Sequence, residues 1–262
     1  MNTIDRMIRP LILVLGLLSL AGCYTVPITG RTAFIVVPQG EEISLGVSAY
    51  DEAKSNTPVS RDRALQTRVE MVGKRIAAVS DFPDWKWEFT VFDDPKTPNA
   101  WCLPGGKIAV YTGLMPYVTS DAELAAVMAH EVSHAIARHG AERMSQQMII
   151  EAGAQAITAT ASQKNLEAYK VAYGVGSQLF VSLPHSRSQE YESDRMGLIY
   201  MARAGYDPNA ALAFWERFKQ ASAGKTPPEF LSTHPADDNR IAQIKELLPE
   251  AEKVYEQSAK AN

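Results

Sequence analysis

Residues 120–134 read SDAELAAVMAHEVSH, and they decide how the rest of the chain is read. Ser120 with Glu123 three residues on is a capping box, so a helix begins here. It predicts a helix to about His139, stopped near Gly140. Leu124, Ala125, Ala126, Val127 and Met128 make its middle apolar all round, which marks a buried helix. On that helix His130 and His134 stand at i and i+4, on one face, so both imidazoles can reach one metal ion. Neutral imidazole suits Zn2+, and Glu131 stands beside the site as a general base.

Two histidines leave a hydrolytic zinc one protein ligand short. A third histidine on the same helix would need Gly at 137 and His at 140, but Ala137 and Gly140 stand there. His139 comes one residue early and points to the opposite face of a continuous helix, where it complements the helix dipole. A carboxylate must then supply the third bond, and Glu151 and Glu190 are the candidates. Glu190 and Asp194 share a helix face, which allows one on the metal and the other on the N–H of a ligating imidazole. His185 reads as a loop residue.

Working outward, residues 39–56 read as a polar helix, and Ser60 as the cap of a helix to about Ser80. Residues 86–93 alternate, with Trp87, Phe89 and Val91 on one side of a half-buried strand. Two further extended runs, Asn99–Leu103 and Lys107–Tyr111, flank Pro104-Gly105-Gly106 and complete a sheet of about three strands. Helical patterns follow over 141–162, 165–181, Ser186–Ala204 (closed by Gly205), Pro208–Gln220 and Asp237–Leu248. The expected fold is α+β, mostly α-helical, a zincin helix core with one small sheet. Residues 39–262 form a single domain and 23–38 a linker broken by Pro27, Gly30 and Pro38.

Of 262 residues, 46% are apolar and 21% charged, enough apolar side chain for a core. The net charge of −4 argues against nucleic acid as a partner. Nothing in the pattern sets an oligomeric state. Arg6 and Arg9 precede the apolar run Leu11–Leu20, about half the length of a spanning helix. Leu20-Ala21-Gly22-Cys23 resembles the lipobox of bacterial lipoproteins, so residues 1–22 are expected to be a signal peptide and Cys23 a lipidated anchor in the membrane. Tyr24 in place of aspartate then points to the outer membrane of the bacterial cell envelope, facing the periplasm. With Cys23 acylated, Cys102 has no intrachain disulfide partner.

His130–His134 together with Glu190-x-x-x-Asp194 resembles the gluzincin metallopeptidases related to the CAAX prenyl protease and HtpX, above all their soluble periplasmic branch and the mitochondrial quality-control peptidase. Three further segments match: Asn99-Ala100-x-x-x-Pro104-Gly105-Gly106, Thr112-Gly113-Leu114, and Ser232-Thr233-His234-Pro235 with Arg240. Gly30-Arg31 and the Glu42/Gly46 region match as well. The resemblance implies one Zn2+ per chain on His130, His134 and Glu190, with Glu131 as base and Asp194 as partner of a ligating histidine. It places His234 and Arg240 near the substrate carbonyl as oxyanion donors; His234 could instead occupy the zinc's open position and hold the enzyme latent.

The strand of Asn99, Ala100, Trp101 and Cys102 is expected at an exposed sheet edge that a substrate extends. The expected activity is a zinc metalloendopeptidase cleaving unfolded or misassembled cell-envelope proteins. A chaperone or assembly factor with a latent zinc site is the alternative, and a purely structural zinc the third reading.

Overall fold

The computed structural model describes residues 22–158, 185–222, 229–234 and 237–261. In chain order these form β1 (Cys23–Thr25), β2 (Thr32–Phe34), α1 (Gln39–Asn56), α2 (Arg63–Val79), β3 (Glu88–Phe92), β4 (Ala100–Leu103) and β5 (Lys107–Tyr111). A 3₁₀ turn over Thr112–Tyr117 leads to α3 (Asp121–Ile136), α4 (His139–Thr158), α5 (Arg187–Arg203), α6 (Asn209–Ser222), α7 (Glu229–Thr233) and α8 (Asp238–Ala261). The expected α+β class, mostly helical with a small sheet, is what is found. The expected leader 1–22, apart from Gly22, and the helical pattern 165–181 lie outside the described residues.

The three-stranded sheet has the order β3-β5-β4, with β3 parallel and β4 antiparallel to β5. Gly105 and Gly106 turn the β4–β5 hairpin at φ +86° and +81°, a region a side chain resists. Alternation then sorts the side chains. Ala100, Cys102, Ile108 and Val110 join the main core, whereas Trp101, Leu103 and Ala109 pack with Tyr50 of α1 and Phe92. Both faces are therefore covered, and β3 departs from the half-buried expectation: Thr90, Val91 and Phe92 are all buried.

Helix α3 crosses the middle of the molecule, buried from Glu123 to Ile136. Ser120 Oγ accepts from the Glu123 amide at 3.2 Å. The reciprocal half of the capping box is absent, because the Glu123 carboxylate takes the Thr119 amide and hydroxyl instead. The helix stops at Ile136, before the expected Gly140, with Arg138 at φ 59°. What holds this strained residue is its side chain, bonded to Glu42 (2.6 Å) and to the carbonyl of Val37 (2.9 Å). Gly140 falls inside α4.

Two other boundaries move for clear reasons. Residue Val59 bridges to Phe92 and the Ser60 amide bonds to Val91, so Asp62, not Ser60, caps α2. Helix α8 runs through Pro249 because Leu248 and Ala251 are buried and Ser258 bonds back to Ala202. Helix α5 keeps its expected limits, with a full Ser186/Gln189 capping box and Gly205 at φ 78° after its end.

Residues 23–38 are not a loose linker. Strands β1 and β2 pair antiparallel, with Val26, Ala33, Ile35 and Val37 buried against the main core. The Tyr24 hydroxyl donates to the Ile136 carbonyl at the end of α3 (2.7 Å). The expected breakers Pro27 and Gly30 belong to the hairpin turn, where Ile28 and Gly30 take φ 63° and 71°.

Candidate metal centre

Helices α3 and α5 touch at Gly197, where an added Cβ would lie 3.0 Å from the His130 amide nitrogen. That close approach brings the His-x-x-x-His face of α3 against the acidic face of α5. His130 Nε2 and His134 Nε2 lie 3.1 Å apart, and Glu190 lies 3.4 Å from the first and 3.3 Å from the second. A tetrahedral ion about 2.0–2.1 Å from each donor needs donors about 3.3 Å apart. The three side chains therefore fit a metal with nitrogen and oxygen ligands. All three are nearly inaccessible, at 5% exposure or less.

His234, which follows α7, adds a fourth donor. Its Nδ1 stands 3.0 Å from Glu190 Oε1 and 3.3 Å from His130 Nε2. Its Nε2 lies 3.4 Å from Glu131 Oε1, too long for a hydrogen bond, and that buried oxygen has no hydrogen-bond partner. Burial raises the Glu131 carboxyl above its ordinary pKa, outweighing the positive neighbours.

Asp194 Oδ1 accepts from His130 Nδ1 at 3.0 Å, which leaves the lone pair of Nε2 for the metal. Burial alone would raise the Asp194 carboxyl, but the charge of Arg240 outweighs it and holds it low. The Arg240 guanidinium is spent on Asp194 and on Glu190 (2.8 Å), and it lies 3.8 Å over the Trp215 ring. At 1% exposure it orients the carboxylates of α5, and its Nη2 lies 3.4 Å from His130 Nε2. Glu151 has a side chain outside the described residues.

The expected edge strand is an outer strand of its sheet, yet Asn99, Ala100, Trp101 and Cys102 are buried, at 7% exposure or less. Asn99 bonds its own neighbour's amide, and burial raises the Cys102 thiol well above its usual pKa.

Three residues that sequence reasoning set aside or passed over belong here. His139 Nδ1 lies 2.9 Å from His134 Nδ1, and its Nε2 2.9 Å from Glu192 Oε2. The His185 ring lies tilted against His134, with centroids 3.7 Å apart, and meets Arg143. On a continuous helix His139 would point away. The break at Arg138 restarts the helix and swings it back, and no local pattern announces that break. Burial would raise Glu192, but bonds from His139, Arg31 and Thr29 take it down to about 2.

A metal-binding HExxH helix facing a glutamate helix defines a gluzincin-type metallopeptidase, and comparison with known proteins agrees. The chain belongs to peptidase family M48, whose model matches residues 63–248. It is a metalloendopeptidase by that membership and by its relatives. It is 40% identical to the mitochondrial metalloendopeptidase OMA1 of Schizosaccharomyces pombe, over 87% of this chain and 67% of that one. The Saccharomyces cerevisiae protein of the same name is 34% identical, over 88% and 71%. The β-barrel assembly-enhancing protease of Escherichia coli is 27% identical, over 84% of this chain and 46% of its own length.

These names correct the expected location. The relatives at 32–40% identity are named as mitochondrial in two yeasts, a plant and a fish, which overturns the placing at a bacterial outer membrane facing the periplasm. Cys23 itself opens β1 opposite Phe34, at the surface. No helix among the described residues is long and apolar enough to cross a membrane.

Proposed function

We propose that the metal is zinc and that the enzyme cleaves unfolded or misassembled proteins in protein quality control. One observation carries this reading: three donors at tetrahedral spacing, with the buried Glu131 oxygen beside them and no hydrogen-bond partner of its own. A zinc ion held by His130, His134 and Glu190 would supply a Lewis acid for the scissile carbonyl and acidify a water to a pKa near 7. Beside such an ion Glu131 would take a proton from the attacking water and pass it to the leaving amine, a task its raised pKa suits. Asp194 and Arg240 keep the ligands oriented. The assembly-enhancing name of the E. coli relative supports a role in quality control.

His234 favours a second, compatible reading. With Nδ1 at 3.0 Å from Glu190 and 3.3 Å from His130, it fills the fourth position and holds the enzyme latent until the α7 end moves. The same geometry would serve a chaperone with a latent site. Degradation of casein by the zinc-loaded protein, beside a Glu131→Gln twin, tests the proposal. Cleavage by the wild type alone supports the peptidase, whereas equal cleavage by both sinks the mechanism. Silence from both favours the chaperone.

A further inference from the structure

The N-terminal hairpin lies before residues 63–248, which the family model matches, yet its turn reaches the metal centre. Thr29 Oγ1 donates to Glu192 Oε1 (2.5 Å), and Arg31 Nε to Glu192 Oε2 (2.8 Å). The other teeth of the Arg31 guanidinium grip Glu142 at 2.7 and 3.0 Å, and Gln189 donates to the same carboxylate at 3.1 Å. The carboxylates of Glu142 and Glu192 are 11% and 6% exposed, so each needs the partner it has. Glu192 then faces His139, which is fully buried, and His139 faces the metal-binding histidine His134.

The proton positions along this chain follow from chemistry. If His134 gives its Nε2 lone pair to a metal, its Nδ1 carries the proton and donates. His139 Nδ1 must accept it, so the His139 proton sits on Nε2, facing a carboxylate oxygen of Glu192 that can only accept. A single assignment satisfies every contact. His130 has its orienting partner directly in Asp194; His134 has the same service through one more ring. The turn of the hairpin, at positive φ in Ile28 and Gly30, is what points Thr29 and Arg31 at the same carboxylate.

We propose that His139 and Glu192 are positioning residues for the ligand His134, and that Thr29 and Arg31 of the hairpin set them, so that the N-terminal hairpin controls how tightly the metal is held. This rests on the zinc reading, with His134 as a ligand. Arg31 ties two elements of the catalytic core, α4 and α5, to the segment that enters the domain. A displaced hairpin would leave Glu142 and Glu192 as two buried like charges. Glu192 would then turn from His139, and the His134 ring would lose its orientation.

Zinc affinity of the whole protein, measured by competition with a chromophoric chelator, tests this apart from turnover. His139→Leu should weaken zinc roughly 10–100-fold, the usual effect of losing an outer partner of a ligand. His139→Asn should recover most of that loss, because its amide oxygen stands about where Nδ1 stood. Arg31→Ala should weaken zinc several-fold in the native background and have no effect in the His139→Asn background, where the link to Glu192 is already cut. The visible spectrum of the cobalt-substituted protein should shift in His139→Leu and return toward wild type in His139→Asn. If His134→Ala abolishes tight binding while Arg31→Ala and His139→Leu both keep wild-type affinity, the proposal falls and the zinc site stands. If His134→Ala itself binds as wild type does, the site reading falls and takes the proposal with it.

Discussion

Arg240 closes a two-toothed fork on Asp194, with Nε 2.7 Å from Oδ2 and Nη2 2.8 Å from Oδ1. The same carboxylate receives His130 Nδ1–H, and the remaining guanidinium nitrogen reaches Glu190 at 2.8 Å. One buried cation therefore balances two buried carboxylates on successive turns of α5. Removing one partner of such a cluster strands charge in the interior, which costs about 3–5 kcal/mol. Arg240→Ala should lower the stability of the metal-free protein by about that amount in urea unfolding. Arg240→Lys keeps the charge without the planar fork and should fall between the two.

Gly197 sits where α5 meets the backbone of His130, with a hypothetical Cβ at 3.0 Å from its amide nitrogen and 3.1 Å from its Cα. Backbone cannot step aside as a side-chain tip can. Gly197→Ala should therefore push the two ligand-bearing helices apart, at roughly 1–3 kcal/mol of overpacking. Calorimetry should show a lowered Tm, and chelator competition a weaker hold on zinc.

Glu42 on α1 is 2% exposed, and burial raises its pKa to about 7 against the pull of Arg138. The folded state thus binds its proton more tightly than the unfolded chain does. Stability from this group is complete below about pH 4.5 and is lost as pH rises toward 7. A shift of this size corresponds to about 3 kcal/mol. In Glu42→Gln, unfolding free energy should change less between pH 4.5 and 7 than in the wild type, as urea unfolding across that range would show.

His234 supplies the fourth donor beside Glu190. Zinc-edge absorption of the resting protein should fit four protein ligands, three of them imidazole. In His234→Ala one nitrogen should be replaced by a water oxygen. An unchanged spectrum would remove His234 from the metal and, with it, the latent state.

Much of the fold is local enough to read from the chain. The α5 limits follow from Ser186, Gln189 and Gly205, whose side chains and φ act within one turn of the helix ends. The β4–β5 hairpin follows from two adjacent glycines at positive φ. The end of α3 could not be read that way. Arg138 holds a strained conformation only because Glu42 and Val37, about a hundred residues earlier, bond its side chain. The same distance in sequence hid the hairpin, whose buried side is short and whose partners lie in α3, α4 and α5.

By itself the sequence determined that a helix carries His130, Glu131 and His134 in register for a metal, and that a second helix offers Glu190 and Asp194 on one face. Helical periodicity is a short-range property, and it fixes which residues share a face. Only the tertiary structure decided what each face meets: that Arg240 serves the carboxylates, that His234 sits among the donors, and that His139 turns back toward His134. Those outcomes depend on where chain breaks aim the next element and on which buried charges must find partners. Such constraints act between residues brought together by folding, whatever their separation along the chain.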